Sequence, residues 1–145
     1  NMFEIRFTET VAAPAEKVWQ VLLDTAHYAE WNPFIVACES SFVVGEPIVM
    51  QVQLLPSRCI SQTETIRANT AAEYLEYGIQ LPLGLLASSR QHRLTALDDD
   101  SCRYESVFIL RGALSPLVRL LLGKHLARGF QGMTRGLVRR AEALT

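Results

Sequence analysis

His92 is the residue of this sequence with the clearest chemical potential, because it stands among apolar residues on a predicted strand. It alternates with Leu94 and Ala96, so these three side chains are expected on one inward face. Three interpretations follow: a hydrogen-bonded core histidine, a polar anchor for a ligand, or a general acid or base. Acid–base chemistry is open to it because the pKa of an unperturbed imidazole is about 6.5.

Glu64 and Tyr77 are two further candidates for chemistry. Glu64 alternates with Ile60 and Ile66, which would put a carboxylate beside apolar side chains. If this side faces the interior, Glu64 must be paired or protonated, since an isolated buried carboxylate is too costly. An exposed position at a sheet edge is the alternative. The hydroxyl of Tyr77 is either a hydrogen-bonding group at a pocket wall or part of the core.

The sequence lacks the motifs of the common catalytic and cofactor sites. It contains no GxSxG nucleophile elbow, no HExxH zinc motif, no Walker loop and no GxGxxG turn after a strand. Its three cysteines, Cys38, Cys59 and Cys102, are widely spaced and form no CxxC pair, so we expect free thiols rather than a zinc site. We therefore expect neither a metal nor a nucleotide cofactor.

The composition excludes several large classes of protein. The chain has 145 residues, 49% of them hydrophobic and 20% charged, with a formal net charge of −1 at pH 7. This length suits one domain, which we assign to residues 2–145. A general nucleic-acid binder would need a basic excess. With no signal peptide and no apolar run of about 18 residues, we expect a cytoplasmic protein without an integral membrane segment.

The elements that would position the candidate residues begin with one strand and two short helices. Residues 3–11 alternate apolar and polar side chains, the period of a strand with one buried face. Pro14 suits the first position of a helix, and the apolar pattern predicts that helix over about 14–24. The segment 25–33 is predicted as a second short helix that ends at an Asn-Pro breaker.

Six further strands are predicted, separated by turn signals rich in Gly, Pro, Asn and Asp. They cover residues 34–43, 47–55, 58–68, 72–81, 87–97 and 102–112. The connections are too short for parallel crossovers, so neighbouring strands should be antiparallel.

A long helix is predicted from Ser115 to about Leu144, since Ser115 suits the N-cap and Pro116 the first helical position. Its apolar residues recur every three or four positions and form one stripe. They are Leu122, Leu126, Phe130, Met133, Leu137, Ala141 and Leu144. A helix of about 29 residues spans about 40 Å, so it should lie across the sheet. The fold class is therefore α+β, with a seven-stranded antiparallel sheet curled around the helix and space between them.

Three glycines interrupt this predicted helix. Gly129, Gly132 and Gly136 each cost about 1 kcal/mol relative to alanine in a helix interior. They would let either the sheet or a bound ligand approach the helix backbone.

Three stretches of the chain form recognisable motifs. They are APAEKVW (13–19) leading to YAEWNPF (28–34), QHRL (91–94) followed by GALSP (112–116), and GFQGM (129–133) leading to LVRRAE (137–142). Together they resemble the helix-grip superfamily, which includes birch-pollen-allergen-like proteins, START lipid-transfer domains and bacterial polyketide cyclase/dehydratase-like proteins. The second and third stretches are similar to the bacterial subgroup. That subgroup often has a polar or acidic residue shortly before the glycine, where this chain has the apolar run 107–110.

The resemblance implies a helix-grip fold that binds a hydrophobic or amphipathic small molecule between the sheet and the long helix. Such a ligand would be lipid-, polyketide- or isoprenoid-like and held mainly by apolar burial. The residues expected to contact it are Trp31, Phe34, Tyr77, Leu81, His92, Leu94, Phe108, Leu110, Leu126, Phe130 and Met133. A non-catalytic binder is the preferred interpretation. The alternative is a polyketide cyclase or dehydratase that uses His92 as a proton shuttle, with Glu64 or Tyr77 as its partner.

Two surface features leave further interpretations open. The apolar loops around Trp31 and at 81–86 would either gate the cavity or cap the core. The final helix carries six of the 14 basic residues and one acidic residue, Glu142. This face is either solvated or contacts an anionic membrane surface or an acidic partner. A protein-interaction module, as a monomer or a homodimer, is therefore the third functional hypothesis.

Overall fold

The computed structural model describes residues 2–145, and Asn1 lies outside the described residues. Within that range the strands are β1 (Met2–Val11), β2 (Ile35–Ser40), β3 (Pro47–Leu55), β4 (Arg58–Thr70), β5 (Tyr74–Gly78), β6 (Ala87–Ala96) and β7 (Cys102–Arg111). The helices are α1 (Ala15–Leu23) and α2 (Ser115–Ala143), with two short 3₁₀ segments, Thr25–Glu30 and Pro82–Gly84. The predicted order of one strand, two short helices, six strands and one long helix is confirmed.

All seven strands form one antiparallel sheet in the order β1-β7-β6-β5-β4-β3-β2. Consecutive strands from β2 to β7 are neighbours, as short hairpin connections require. β1 pairs with β7 at one edge, and the helical connection after β1 carries the chain to β2 at the opposite edge. The predicted α+β class with an antiparallel sheet is confirmed.

Two strands are shorter than predicted, because single residues adopt a left-handed backbone conformation. Phe42 has a φ of 59°, and β2 ends at Ser40 instead of continuing to residue 43. Ala72 has a φ of 61° in the turn before β5, which begins at Tyr74. Few residues other than glycine adopt this conformation, and hydrophobic periodicity carries no information about it.

α2 lies across the sheet in contact with β1, β3 and β7, and it also packs against α1. Its second half is buried through Phe130, Met133, Leu137 and Ala141, which belong to the predicted apolar stripe. Leu144, the last residue of that stripe, is exposed just beyond the end of the helix. The stripe therefore positions the helix on the core as far as residue 141.

Polar contacts fasten the end of α2 to the connection that follows β1. Glu142 Oε2 accepts a hydrogen bond of 2.9 Å from the backbone N–H of Ala12. Arg140 forms an ion pair with Glu30, with a nitrogen–oxygen distance of 3.0 Å. The second half of the helix is thus held by both apolar burial and charged groups.

Candidate functional site

A cavity of about 270 Å³ lies between the sheet and α2. Apolar side chains make up most of its wall: Phe34, Ile35, Met50, Val52, Leu54, Ile60, Ile79, Leu86, Phe108, Leu110, Val118, Leu122, Leu126, Phe130 and Met133. Five polar side chains lie among them: Gln62, Glu64, Tyr77, Ser88 and Arg90. All five belong to the adjacent strands β4, β5 and β6, so the polar groups are concentrated on the middle of the sheet.

Arg90 is the most unusual group in this wall, because it is a buried cation with 3% of its surface exposed. Its Nη1 donates hydrogen bonds to Ser106 Oγ at 2.7 Å and to the Val107 carbonyl at 3.2 Å. Its Nη2 donates to the Met133 sulfur at 3.6 Å. The guanidinium carbon lies 4.5 Å from the centre of the Phe130 ring, which is cation–π geometry.

The charge of Arg90 has no ion-pair partner within residues 2–145. Its oxygen partners are neutral: Ser106 Oγ, the Val107 carbonyl and the hydroxyl of Tyr104. A buried cation without a direct ion pair is energetically costly, and the Glu64 carboxyl in the same wall interacts with it only beyond ion-pair distance. The cavity therefore has an electrostatic preference for a negatively charged or strongly accepting group beside Arg90.

Glu64 faces the same cavity, which settles the orientation of β4: Ile60 and Glu64 point inward. Burial raises the pKa of the Glu64 carboxyl above its ordinary value. A hydrogen bond from Gln62 at 3.4 Å and the positive charges of Arg67 and Arg90 offset part of this rise. Glu64 is thus a carboxyl group of the cavity wall whose pKa depends on its burial and on the neighbouring arginine charges.

His92 is fully buried between two tyrosines. Its Nε2 lies 3.0 Å from the hydroxyl of Tyr77, and its Nδ1 lies 2.6 Å from the hydroxyl of Tyr104. Tyr77 belongs to the cavity wall, whereas His92 lies behind it. The Tyr77 hydroxyl therefore joins the His92 ring directly to the cavity wall.

Burial and the nearby Arg90 charge lower the pKa of His92 well below its ordinary value, so the imidazole is neutral at neutral pH. Burial raises the pKa of Tyr77 and of Tyr104. A neutral imidazole donates from one nitrogen and accepts at the other. The three side chains therefore form an uncharged chain of hydrogen bonds that ends at the cavity.

Seven of the eleven predicted ligand contacts lie in the cavity wall: Phe34, Tyr77, Phe108, Leu110, Leu126, Phe130 and Met133. The other four lie elsewhere. His92 and Leu94 are buried in the core, Trp31 is half-buried and Leu81 is exposed. Ligand contact by any of the eleven stays a prediction.

The glycines of α2 accommodate the loop that precedes β2. A Cβ on Gly129 would collide with the ring of Phe34, and a Cβ on Gly136 would collide with the carbonyl oxygen of Trp31. Gly132 faces the ring of Pro33. The protein neighbour that approaches the helix at all three glycines is therefore this loop and not the sheet, whereas ligand contact there stays a prediction. Through this contact Phe34 reaches the cavity and packs edge-on against Phe130.

Sequence reasoning missed Arg90 as a site residue. The alternation that places His92 and Leu94 inward extends two residues earlier to Arg90 and four residues earlier to Ser88, both of which are buried. The two-residue alternation along β6 therefore already indicated that Arg90 faces inward. An arginine at such a position is usually expected to face solvent, and the absence of a carboxylate partner is visible only in three dimensions.

The described part of the chain contains no arrangement of three or more His, Cys, Asp or Glu side chains suited to a metal ion. Cys38, Cys59 and Cys102 are free thiols. None of the helices in residues 2–145 is long and apolar enough to cross a bilayer.

Solved structures with the same fold come from several kinds of protein. The aromatase/cyclase Zhui from a Streptomyces species superposes with a TM-score of 0.78 at 20% identity, covering 98% of this chain and 94% of that chain. A START superfamily protein from Mycobacterium smegmatis has a TM-score of 0.73 at 19% identity, covering 98% and 99%. Norcoclaurine synthase from Thalictrum flavum has a TM-score of 0.71 at 16% identity, covering 97% and 94%. At these identities the likeness establishes the helix-grip fold.

No curated protein matches the chain in sequence. The family described as "Polyketide cyclase / dehydrase and lipid transport" matches residues 2–144, nearly the whole chain. The chain belongs to this family, which supports a role in binding a hydrophobic ligand or in cyclisation.

Proposed function

We propose that residues 2–145 form one ligand-binding domain whose cavity takes a hydrophobic or amphipathic molecule with an acidic or strongly accepting group. The observation that carries the proposal is the buried Arg90, which lines an apolar cavity without an ion-pair partner in the described residues. The acidic group of the ligand would be a carboxylate, enolate or phenolate held beside Arg90.

Apolar contact supplies most of the binding free energy in this proposal. Burial contributes about 25 cal/mol per Å² of apolar surface, before the costs of association. Phe34, Phe108 and Phe130 present aromatic rings to the cavity. Their presence favours a ligand with flat or unsaturated parts, such as a polyketide-like or isoprenoid-like molecule, over a fully flexible chain.

Arg90 provides orientation and selectivity. A ligand anion would compensate the charge of Arg90 and accept a charge-assisted hydrogen bond from its guanidinium, an interaction that is strong in an apolar site. A neutral ligand of the same shape would leave the cation unpaired. The proposal therefore predicts discrimination between an acid and its ester.

The test compares the affinities of a polycyclic aromatic carboxylic acid and its methyl ester, measured by displacement of a fluorescent hydrophobic probe. Wild-type protein is expected to bind the acid at least about tenfold more tightly, since one charge-assisted hydrogen bond contributes about 1.5–3 kcal/mol. Arg90→Gln is expected to remove this preference while leaving ester binding nearly unchanged. Arg93→Gln changes an exposed arginine on the opposite face of β6 and serves as the control.

Two outcomes would contradict the proposal. One is displacement by neither compound, together with native mass spectrometry that detects no co-purified ligand. The other is equal loss of acid and ester binding in a folded Arg90→Gln variant, which would mean that Arg90 only supports the cavity wall.

A polyketide cyclase is the second candidate function, favoured by the presence of Glu64 and Arg90 on one cavity wall. In this candidate the Glu64 carboxylate accepts a proton from the carbon next to a carbonyl, and Arg90 stabilises the enolate oxygen. The raised pKa of Glu64 makes its carboxylate a stronger base than an exposed one. Turnover of a poly-β-keto thioester by wild-type protein and its loss in Glu64→Gln would establish catalysis. Tight binding of the same compound without turnover would establish the binder.

A further inference from the structure

Seven leucines are exposed on one part of the surface, and we name this set the leucine patch. They are Leu81, Leu83, Leu85, Leu114, Leu117, Leu120 and Leu121. Leu83 is 95% exposed and Leu120 is 80% exposed. Isolated exposed leucines are ordinary, but a contiguous group of this size on a folded chain marks an interaction surface.

Hydrogen bonds show that the two segments of the patch are neighbours. The backbone N–H of Ala113 donates to the Gly84 carbonyl at 3.0 Å, and that of Leu114 donates to the Leu85 carbonyl at 3.0 Å. The apolar loop is therefore fixed to the beginning of α2. The sequence pattern suggested that this loop gates the cavity or caps the core. Its leucines at 81, 83 and 85 project into solvent, whereas Leu86 lines the cavity, so a gating role stays a prediction.

The first turns of α2 carry two apolar stripes instead of the single predicted one. Val118, Leu122 and Leu126 face the cavity. Leu117, Leu120 and Leu121 are spaced by three and four residues and face solvent. A helix that is apolar on both sides needs a second apolar environment on its outer side.

The charges around the patch are positive. The sequence contains no Asp or Glu from residue 77 to 97 or from 106 to 141. Arg111, Arg119 and Lys124 are exposed beside the patch. On the neighbouring strand β1 the first carboxylate is that of Glu4, which lies 3.7 Å from a guanidinium nitrogen of Arg6.

We propose that the leucine patch docks onto a membrane surface that contains anionic lipids. The leucines would enter the boundary between headgroups and acyl chains, while Arg111, Arg119 and Lys124 contact lipid phosphates. A second copy of the chain is a poorer partner, because patch-to-patch contact would bring these like charges together. Leu86 and Val118 of the same two segments line the cavity, so docking would bring the cavity to the lipid boundary.

The test measures co-sedimentation of the full chain, without added ligand, with two kinds of vesicle. One contains phosphatidylcholine alone, and the other contains equal amounts of phosphatidylcholine and phosphatidylglycerol. We expect binding to the anionic vesicles that weakens with added salt, and little binding to the neutral ones. Because no ligand is present, the outcome is independent of the function proposed for the cavity.

Paired variants separate the apolar and the charged contributions. Leu83→Ser with Leu120→Ser is expected to reduce binding to anionic vesicles by about tenfold or more. Arg111→Glu with Lys124→Glu is expected to reduce it to the level of neutral vesicles. Matched controls are Val43→Ser with Val44→Ser, two exposed apolar residues of the β2–β3 turn, and Arg58→Glu with Arg103→Glu. Both controls should bind as the wild type does.

Three results would overturn the inference. The first is no sedimentation with anionic vesicles, and the second is equal sedimentation with neutral ones. The third is a dimer in sedimentation velocity that Leu83→Ser with Leu120→Ser dissociates, because the patch would then be an interface between two copies of this chain.

Discussion

The hydroxyl of Tyr77 lies 3.0 Å from Nε2 of His92, and this contact joins the cavity wall to a titratable group that lies behind it. On the far side of the ring, Nδ1 of His92 lies 2.6 Å from the hydroxyl of Tyr104. Since the neutral ring has one donor and one acceptor nitrogen, one tyrosine donates to it and the other accepts from it. The tautomer of His92 decides which tyrosine donates and which accepts, so a group in the cavity that bonds to Tyr77 would favour one tautomer.

The first prediction concerns acid stability. The folded state lowers the pKa of His92, so below the ordinary value of 6.5 the unfolded chain binds more protons than the folded one. The contribution of this group to stability is therefore present above 6.5 and is lost as the pH falls toward the lowered value. His92→Gln should flatten this decline in the free energy of unfolding, measured by urea titration at several pH values.

The control for that experiment is His27, an exposed histidine whose pKa is raised by its hydrogen bond and ion pair with Asp24. Its contribution has the opposite sign, since it is present below 6.5 and lost above the raised pKa. His27→Gln should therefore leave the acid decline in place. A decline of unchanged slope in His92→Gln would show that other groups cause it.

The second prediction concerns the cost of breaking the tyrosine–histidine chain. Tyr77→Phe and Tyr104→Phe each leave a ring nitrogen of His92 unpaired in the core, which should cost about 1–3 kcal/mol. Hydrogen bonds in such a chain polarise one another, so the double variant should lose less than the sum of the single losses. Thermal or urea unfolding of all four proteins measures this coupling. Strict additivity would mean that the two contacts are independent.

The third prediction concerns the fit between α2 and the loop before β2. Gly129→Ala should destabilise the fold by about 1–3 kcal/mol, because the new methyl group collides with the ring of Phe34. Gly123→Ala is the matched control, since its Cβ would meet only ordinary contacts with Arg119 and Phe3. That variant should gain about 1 kcal/mol from helix propensity. Phe34→Leu combined with Gly129→Ala should recover part of the lost stability. A gain in stability for Gly129→Ala alone would contradict the predicted collision with the ring of Phe34.

The fourth prediction concerns Glu64. Its raised pKa means that the folded state retains a proton that the unfolded state releases above the ordinary value of 4.5. The contribution of Glu64 to the stability of the folded state is therefore fully present below pH 4.5 and is lost as the pH rises through the raised pKa. Glu64→Gln should flatten the decline in melting temperature with rising pH. Glu73→Gln, at an exposed glutamate of the β4–β5 turn, should not change it. An unaltered profile in Glu64→Gln would contradict the prediction.

The spacing of apolar and polar residues along the sequence was sufficient to predict the main helices and strands. Alternation along β6 placed His92 on the inward face, and the Ser-Pro pair marked the beginning of α2, but the N-cap is Leu114 and the predicted cap Ser115 is the first residue of the helix. Strand ends at Ser40 and Tyr74 could not be predicted, since they depend on left-handed residues in the adjoining turns. The alternation of apolar and polar residues indicates which face of a segment is buried, but it does not indicate the backbone conformation at the ends of that segment.

The site was less predictable than the fold because its main groups acquire their properties from distant neighbours. Arg90 is distinctive because it contacts Ser106 and Phe130 and forms no ion pair within residues 2–145. In the sequence, Leu83 and Leu120 cannot be distinguished from the leucines of the core, and only the packing shows that they face solvent. Apolar content alone therefore cannot separate a core from a docking surface.

The packing of the loop before β2 against α2 has a mechanical consequence. Contacts at Gly129 and Gly136, together with the polar bonds of Arg140 and Glu142, anchor the second half of the helix. From residue 116 to 129 the helix has no fully buried side chain. This stretch is held at both ends, by the hydrogen bonds of the 84–85 loop at its beginning and by the loop before β2 at Gly129. Its inner side forms part of the cavity wall and its outer side part of the leucine patch, so one helical segment separates the cavity from the patch.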